Sequence, residues 1–294
     1  MIVDSGPLLS VLIPTCNYRI GLIRILFFLK NIPKNKYEII IYDNSKDSYT
    51  QEYMEKWISD NPHVNLSYRL NQPITQPAEN WNNLLNAAKG KYCLLLHNGE
   101  FPDRLNFFEK LINNLENKGP DLAIMGCILA DYNLRNYYYH FPKRLTLFII
   151  KFFPKYLFRR NIIGPASTLV IKKELYSKFD QHLSWYLDVD SYYCSLVKAK
   201  NIILLNDINV ISVVNKKDTL TNMLSKQIIQ VEKKERVYLD AKYKEVYWNG
   251  EKKNIITFSE RVLWRVFKFI HKLIQHNLIK KIEASVGDIW KINN

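Results

Sequence analysis

The sequence predicts an α/β fold, a doubly wound and mostly parallel sheet followed by a basic helical C-terminal extension. Three observations predict it. Apolar runs such as "LLSVLIPTC" and "YEIIIYDNS" are continuous rather than alternating, the pattern of strands covered on both faces. Helical segments separate these runs, so strand alternates with helix as in βαβ units. Beyond about Lys216 the chain turns lysine-rich and helical.

The elements follow in order. The first apolar run is a strand closed by Pro14, and a helix over Ile20–Lys30 leads to a second strand ending in Asp43-Asn44-Ser45. Asp47 or Ser48 can cap the next helix, Gln51–Ser59, whose Tyr53, Met54 and Trp57 suit one buried face. "VNLSYRL" is a third, shorter strand; Pro77–Ala88 is helical, with Gly90 placed to stop it. "KYCLLL" is the fourth strand and opens abruptly into His97-Asn98-Gly99-Glu100, before a helix over Arg104–Asn117. "DLAIMGCILA" reads as a strand, "HFPKRLTLFIIKFFPKYLFRRN" is aromatic and basic, and "GPASTLVIKKELYSKF" is a strand running into a helix. "LSWYLDVDSYYCSLVKAK" is a helix entered through two aspartates, and "NIILLNDINVISVVN" is one or two short strands. No internal repeat is found.

With 294 residues, the chain suits one large domain or a domain with an appendage. Its 47% hydrophobic content supports a core, and 24% charged residues argue against wholesale disorder. A formal charge of +14 points to an anionic partner. No nucleic-acid module accompanies that charge, so nucleic acid is not the expected partner. Cys16, Cys93, Cys127 and Cys194 make neither a CxxC pair nor a zinc spacing and read as reduced thiols of a cytosolic protein. The N-terminus carries no basic-then-apolar leader and no segment offers about 20 uninterrupted apolar residues, so neither secretion nor a spanning helix is expected. GxGxxG and the P-loop fingerprint are absent from the first half of the sheet. His63, His140, His182, His271 and His276 are scattered without metal spacing.

Four separated pieces, "SVLIPTCN", "EIIIYDNSKD", "AAKGKYCLLLHNGE" and "LSWYLDVDSYY", occur in one order over about residues 8–200. In that order and rough spacing they resemble the bacterial family 2 glycosyltransferases of the GT-A fold, including those that build O-antigen and capsule. The resemblance implies a GT-A domain over 1–215, with a nucleotide-sugar half (1–130) and an acceptor half (131–215), then the helical basic region 216–294. Pro14, Thr15 and Asn17 would form the turn beside the nucleotide base, and Asp43 would accept a hydrogen bond from that base. Lys91, His97 and Asn98 are also assigned to the donor. Read alone, Asp43-Asn44-Ser45 equally fits a turn whose Asx side chains satisfy backbone groups.

Aligning Gly90 with the family's glycine puts His97 and Gly99 where the family carries Asp-x-Asp, whose carboxylates meet the donor ribose and a divalent cation, Mg²⁺ or Mn²⁺. Glu100 is the carboxylate left for a metal, with Asp103 the next candidate. With the signature degenerate, weak metal dependence or none is expected. The acidic pair of "WYLDVDSYY" would supply the general base near the acceptor, with Asp188 in the best register and Asp190 two residues on. The two cannot share a helical face, and either also compensates the charge of a helix N-terminus. Trp185 either stacks on an acceptor sugar or belongs to the core. Cys194 stands where relatives often carry arginine.

The implied reaction is inverting transfer from a nucleotide-sugar donor to a saccharide acceptor, lipid-linked, in bacterial surface-glycan synthesis. Arg261, Arg265, Lys268 and Lys272 recur at helical spacing, with Leu263, Val266, Phe267, Ile270 and Ile274 mostly on other faces. Such a helix suits an anionic membrane surface, making the protein peripheral on the cytoplasmic face; it equally suits a helix packed on the domain with a solvated basic edge. The alternative function is a catalytically degenerate relative that binds a glycan, nucleotide or partner enzyme, favoured by Gly99 and opposed by Asp43 and Asp188.

Overall fold

Strand β1 (Leu9–Thr15) is buried along its whole length, and its side chains alternate between two cores. Leu9, Val11 and Ile13 enter one and Leu12 the other, as the period-2 geometry of a strand requires. The computed structural model describes residues 6–17, 19–30, 32, 35–131, 137–213 and 227–243, with 265, 266 and 269. The basic stripe expected between Arg261 and Lys281 lies, apart from those isolated positions, outside the described residues.

Strands β2 (Tyr37–Asp43) and β4 (Tyr92–Leu95) flank β1 in parallel, and β3 (Leu66–Leu70) extends the sheet beyond β2. The other side is built by β5 (Glu100–Pro102), β6 (Leu122–Ala130), β7 (Tyr137–Tyr139), β8 (Leu169–Lys172) and β9 (Ile202–Val213). The order is β3-β2-β1-β4-β8-β6-β9-β5, with β7 paired to β6. β8 runs antiparallel between β4 and β6, while β6 and β9 are parallel to each other. The segment read as one or two short strands is the single β9, with a register shift opposite Ile124 and Gly126.

Helices α1 (Arg19–Leu29), α2 (Tyr49–Asp60) and α4 (Phe107–Lys118) cover one face through Leu22, Met54 and Leu111. The opposite face is covered by α3 (Pro77–Ala87), α5 (Lys143–Phe152), α6 (Leu187–Lys198) and α7 (Ile228–Lys242). The helix expected after β8 is only a single 3₁₀ turn, Lys173–Leu175. Helix α3 ends at Ala87 with Ala88 as its C-cap, so Gly90 does not stop it as expected. A Cβ there would sit 2.6 Å from the backbone nitrogen of Ser10, so glycine permits the close approach of the chain entering β4 to β1.

α7 lies beyond the boundary expected near 216, yet Leu239 and Tyr243 are buried in the same core. The Glu235 carboxylate accepts the backbone N–H groups of Ser184 (2.6 Å), Trp185 (2.9 Å) and Tyr186 (2.9 Å). These donors precede α6, so one buried carboxylate fixes the entry into that helix. Among the described residues, no helix is long and apolar enough to cross a membrane.

Candidate active site

Because β1, β2 and β4 are parallel, their C-terminal ends open on one edge of the sheet. β1 is left by the chain on one side for β2 and bordered on the other by β4, which is where open α/β sheets form a ligand crevice. Thr15 pairs in register with Asp43, and the backbone N–H of Leu96 donates to Leu12 at 2.8 Å. His97 and Asn98 therefore emerge beside Thr15, and Asn98 Nδ2 donates to Thr15 Oγ1 at 3.0 Å. Pro14 is buried in the strand, while Asn17 is exposed with φ 51° and its N–H donates to Ser45 Oγ at 2.8 Å.

Asp43 is fully buried. Its Oδ1 accepts from the backbone N–H (2.8 Å) and hydroxyl (2.6 Å) of Ser45, and its Oδ2 from the Tyr68 hydroxyl at 2.8 Å. The Asx turn that the residues also allowed is thus formed and engages Oδ1, while the Tyr68 hydroxyl engages Oδ2.

The second half of the crevice comes from distant segments. Glu100 opens β5, and its Oε2 accepts the Ser167 hydroxyl at 2.7 Å and lies 3.4 Å from His97 Nδ1. The His97 ring rests on Trp81, centroids 4.6 Å apart, and Trp81 meets Phe179 edge-on. His97 Nε2 is buried and has no hydrogen-bond partner among the described residues, an open valence of the kind a ligand satisfies. Burial works against a charged imidazole here, but the carboxylates of Glu100 and Asp188 outweigh it and hold His97 above its ordinary pKa.

Asp188 stands in the first turn of α6. Its Oδ1 accepts the Val189 N–H at 2.8 Å, and its Oδ2 accepts Asn161 Nδ2 at 3.2 Å, with the Tyr192 hydroxyl 3.5 Å away. Asn161 is itself held in a turn, its Oδ1 accepting the N–H groups of Ile163 (3.1 Å) and Gly164 (2.9 Å). Gly164 has φ +106°, and a Cβ there would press on Cys127 at 3.0 Å, so this turn requires glycine. Burial pushes the Asp188 carboxyl up to about 6, against the opposing pull of the Val189 N–H and the nearby His97. A carboxyl tuned to that range can take a proton near neutral pH.

The crevice therefore gathers Thr15, Asp43, His97, Asn98, Glu100 and Asp188. Three expected residues are not part of it. Lys91 is exposed at the N-terminal end of β4, and the whole strand separates it from His97. Asp190 is buried and turned toward α7, accepting from Lys242 Nζ at 2.9 Å and the Tyr243 hydroxyl at 2.5 Å. Trp185 is half-buried and packs against the core. Asn161, Ser167 and Trp81 were not foreseen, because no motif marks them and their roles depend on long-range contacts.

The metal expectation meets a poor donor set. Among the described residues, no three His, Cys, Asp or Glu side chains are grouped to hold a metal ion. Glu100 Oε2 is engaged by Ser167, and Gly99 offers no side chain. Asp103, the next candidate, is buried and spent on Asn209 Nδ2 (2.6 Å), the Asn209 N–H (3.0 Å) and Arg104. The described residues of the crevice do not fit a protein-built divalent site.

Solved structures share this architecture. Residues 1–349 of S. aureus TarS in complex with UDP-GlcNAc superpose with a TM-score of 0.57 at 15% identity, covering 91% of this chain and 81% of that one. A mannosyltransferase from Pyrobaculum calidifontis in complex with GDP-Man and Mn²⁺ gives 0.51 at 14% identity, covering 90% and 80%. At such identity the likeness is one of fold. No curated protein sequence matches the chain significantly. The sequence profile described as Glycosyl transferase family 2 matches residues 10–177, more than half of the chain. The crevice at the strand ends lies largely within that span, and the chain belongs to glycosyl transferase family 2, a glycosyltransferase on a GT-A type sheet.

Proposed function

We propose that the protein transfers a sugar, with inversion, from a nucleotide-sugar donor to a saccharide acceptor, and that Asp188 is the general base. The observation that carries this reading is the pair His97 and Asp188, close enough to perturb each other's ionisation, one with an unsatisfied buried nitrogen and the other a carboxyl near 6. Asp188 would take the proton of the acceptor hydroxyl as its oxygen attacks the anomeric carbon from the face opposite the departing diphosphate. His97 Nε2 would meet the donor, and Asn98 and the Thr15 turn would line its nucleotide end. The UDP-GlcNAc and GDP-Man complexes of the structural neighbours support a nucleotide-sugar donor. A lipid-linked acceptor, used in surface-glycan synthesis on the cytoplasmic membrane face, suits the formal charge of +14.

One observation favours a second reading, a degenerate relative that binds without transfer: both Asp43 oxygens are already engaged within the protein. Screening UDP-, GDP-, CMP- and dTDP-sugars by thermal shift and by slow hydrolysis separates the two. Hydrolysis of one donor supports the enzyme, whereas binding with no turnover under any acceptor supports the degenerate reading.

A further inference from the structure

The excursion of the chain from His140 to Asn161 begins and ends at one point, where His140 Nε2 lies 2.8 Å from the backbone oxygen of Asn161. Within this excursion α5 buries Thr146, Ile149 and Ile150 and turns Arg144, Phe148, Lys151 and Phe152 outward. Those four positions recur at helical spacing and form one face. Phe148 and Phe152 are 46% and 54% exposed, with ring centroids 5.0 Å apart. No acidic residue occurs between His140 and Arg160.

We propose that this face of α5 docks on an anionic bilayer surface, with Phe148 and Phe152 entering the headgroup boundary and Arg144 and Lys151 meeting lipid phosphates. Adjacent exposed aromatic rings flanked by cations, with the other face anchored in the core, are the composition of an interfacial helix. The charge sets the occupant: a run of cations without an acid complements anionic headgroups, and the two phenylalanines gain from an apolar boundary that nucleic acid phosphates do not offer. The placement gives the contact a use. Asn161, at the return point, holds Asp188, so docking of α5 sets the candidate base beside the surface that would carry a lipid-linked acceptor. That use rests on the acceptor proposed above; the docking itself is measured independently of transfer.

The test is co-sedimentation of the full chain with phosphatidylglycerol vesicles and with phosphatidylcholine vesicles, beside transfer to a soluble acceptor. The intact protein should bind the anionic vesicles and lose binding as salt rises. Phe148→Ser with Phe152→Ser, and separately Arg144→Glu with Lys151→Glu, should each lower the partition coefficient tenfold or more, with unchanged melting and unchanged soluble transfer. Vesicle binding equal to wild type in both double variants overturns the proposal. So does a drop in oligomer mass by light scattering in place of a drop in vesicle binding, since the face would then be a contact between copies. Intact vesicle binding with no transfer to any acceptor would fault the enzymatic reading alone.

Discussion

Lys242 Nζ lies 2.9 Å from the Asp190 carboxylate, and this contact separates the two acidic residues at the head of α6 into different roles. Asp190 is 1% exposed and joined to α7 through Lys242 and Tyr243. Asp188, two positions earlier, points to His97 and Asn161 instead. On a helix such neighbours cannot share a face, and here one face meets a packed helix and the other the crevice.

Asp190→Asn should therefore act on stability. It removes one charge of a mostly buried pair while leaving the Tyr243 hydroxyl a partner, and the cost should be about 2 kcal/mol, reduced from the full buried-pair value by the partial exposure of Lys242. Chemical denaturation should show the loss, and transfer per folded molecule should stay within about threefold of wild type. A variant that melts normally but cannot transfer would reassign the base to Asp190.

The pH dependence of transfer follows from the Asp188 carboxyl at about 6. A base acts when unprotonated, so kcat/KM should climb as pH rises through that value and level above it. Positive charge on His97 favours the ionised carboxylate, so His97→Ala should move the midpoint to higher pH, besides weakening donor binding. A midpoint that stays fixed in His97→Ala would break the proposed coupling.

Much of this was legible in the sequence, for a physical reason. The continuous apolar runs of β1, β2 and β4 declare strands buried on both faces, and a polar residue directly after such a run falls at a sheet edge; that rule locates Asp43 and His97. The pairing of Asp190 with Lys242 was not legible, because Lys242 lies some 50 positions away, in a lysine-rich stretch that reads as a solvated face. Glu235 was hidden for the same reason. Ser167 and Asn161 lie in segments without periodicity or motif, and only the fold brings them to Glu100 and Asp188.

Divalent cations should matter little. With Gly99 at one signature position and Glu100 Oε2 engaged by Ser167, the described residues there supply fewer carboxylate oxygens than hard cations prefer. EDTA should leave most of the transfer rate, and any lost part should return only at roughly millimolar Mg²⁺ or Mn²⁺. Complete loss in EDTA with recovery at micromolar Mn²⁺ would contradict this.

The most direct test of the account is the transfer rate of Asp188→Asn, measured with the donor that the wild type hydrolyses. The substitution keeps the shape of the side chain and an acceptor for the Val189 N–H, so melting temperature and donor affinity should be close to wild type. Loss of the base should lower kcat on the order of a hundredfold or more. A variant that folds, binds donor and transfers at the wild-type rate would contradict the central claim.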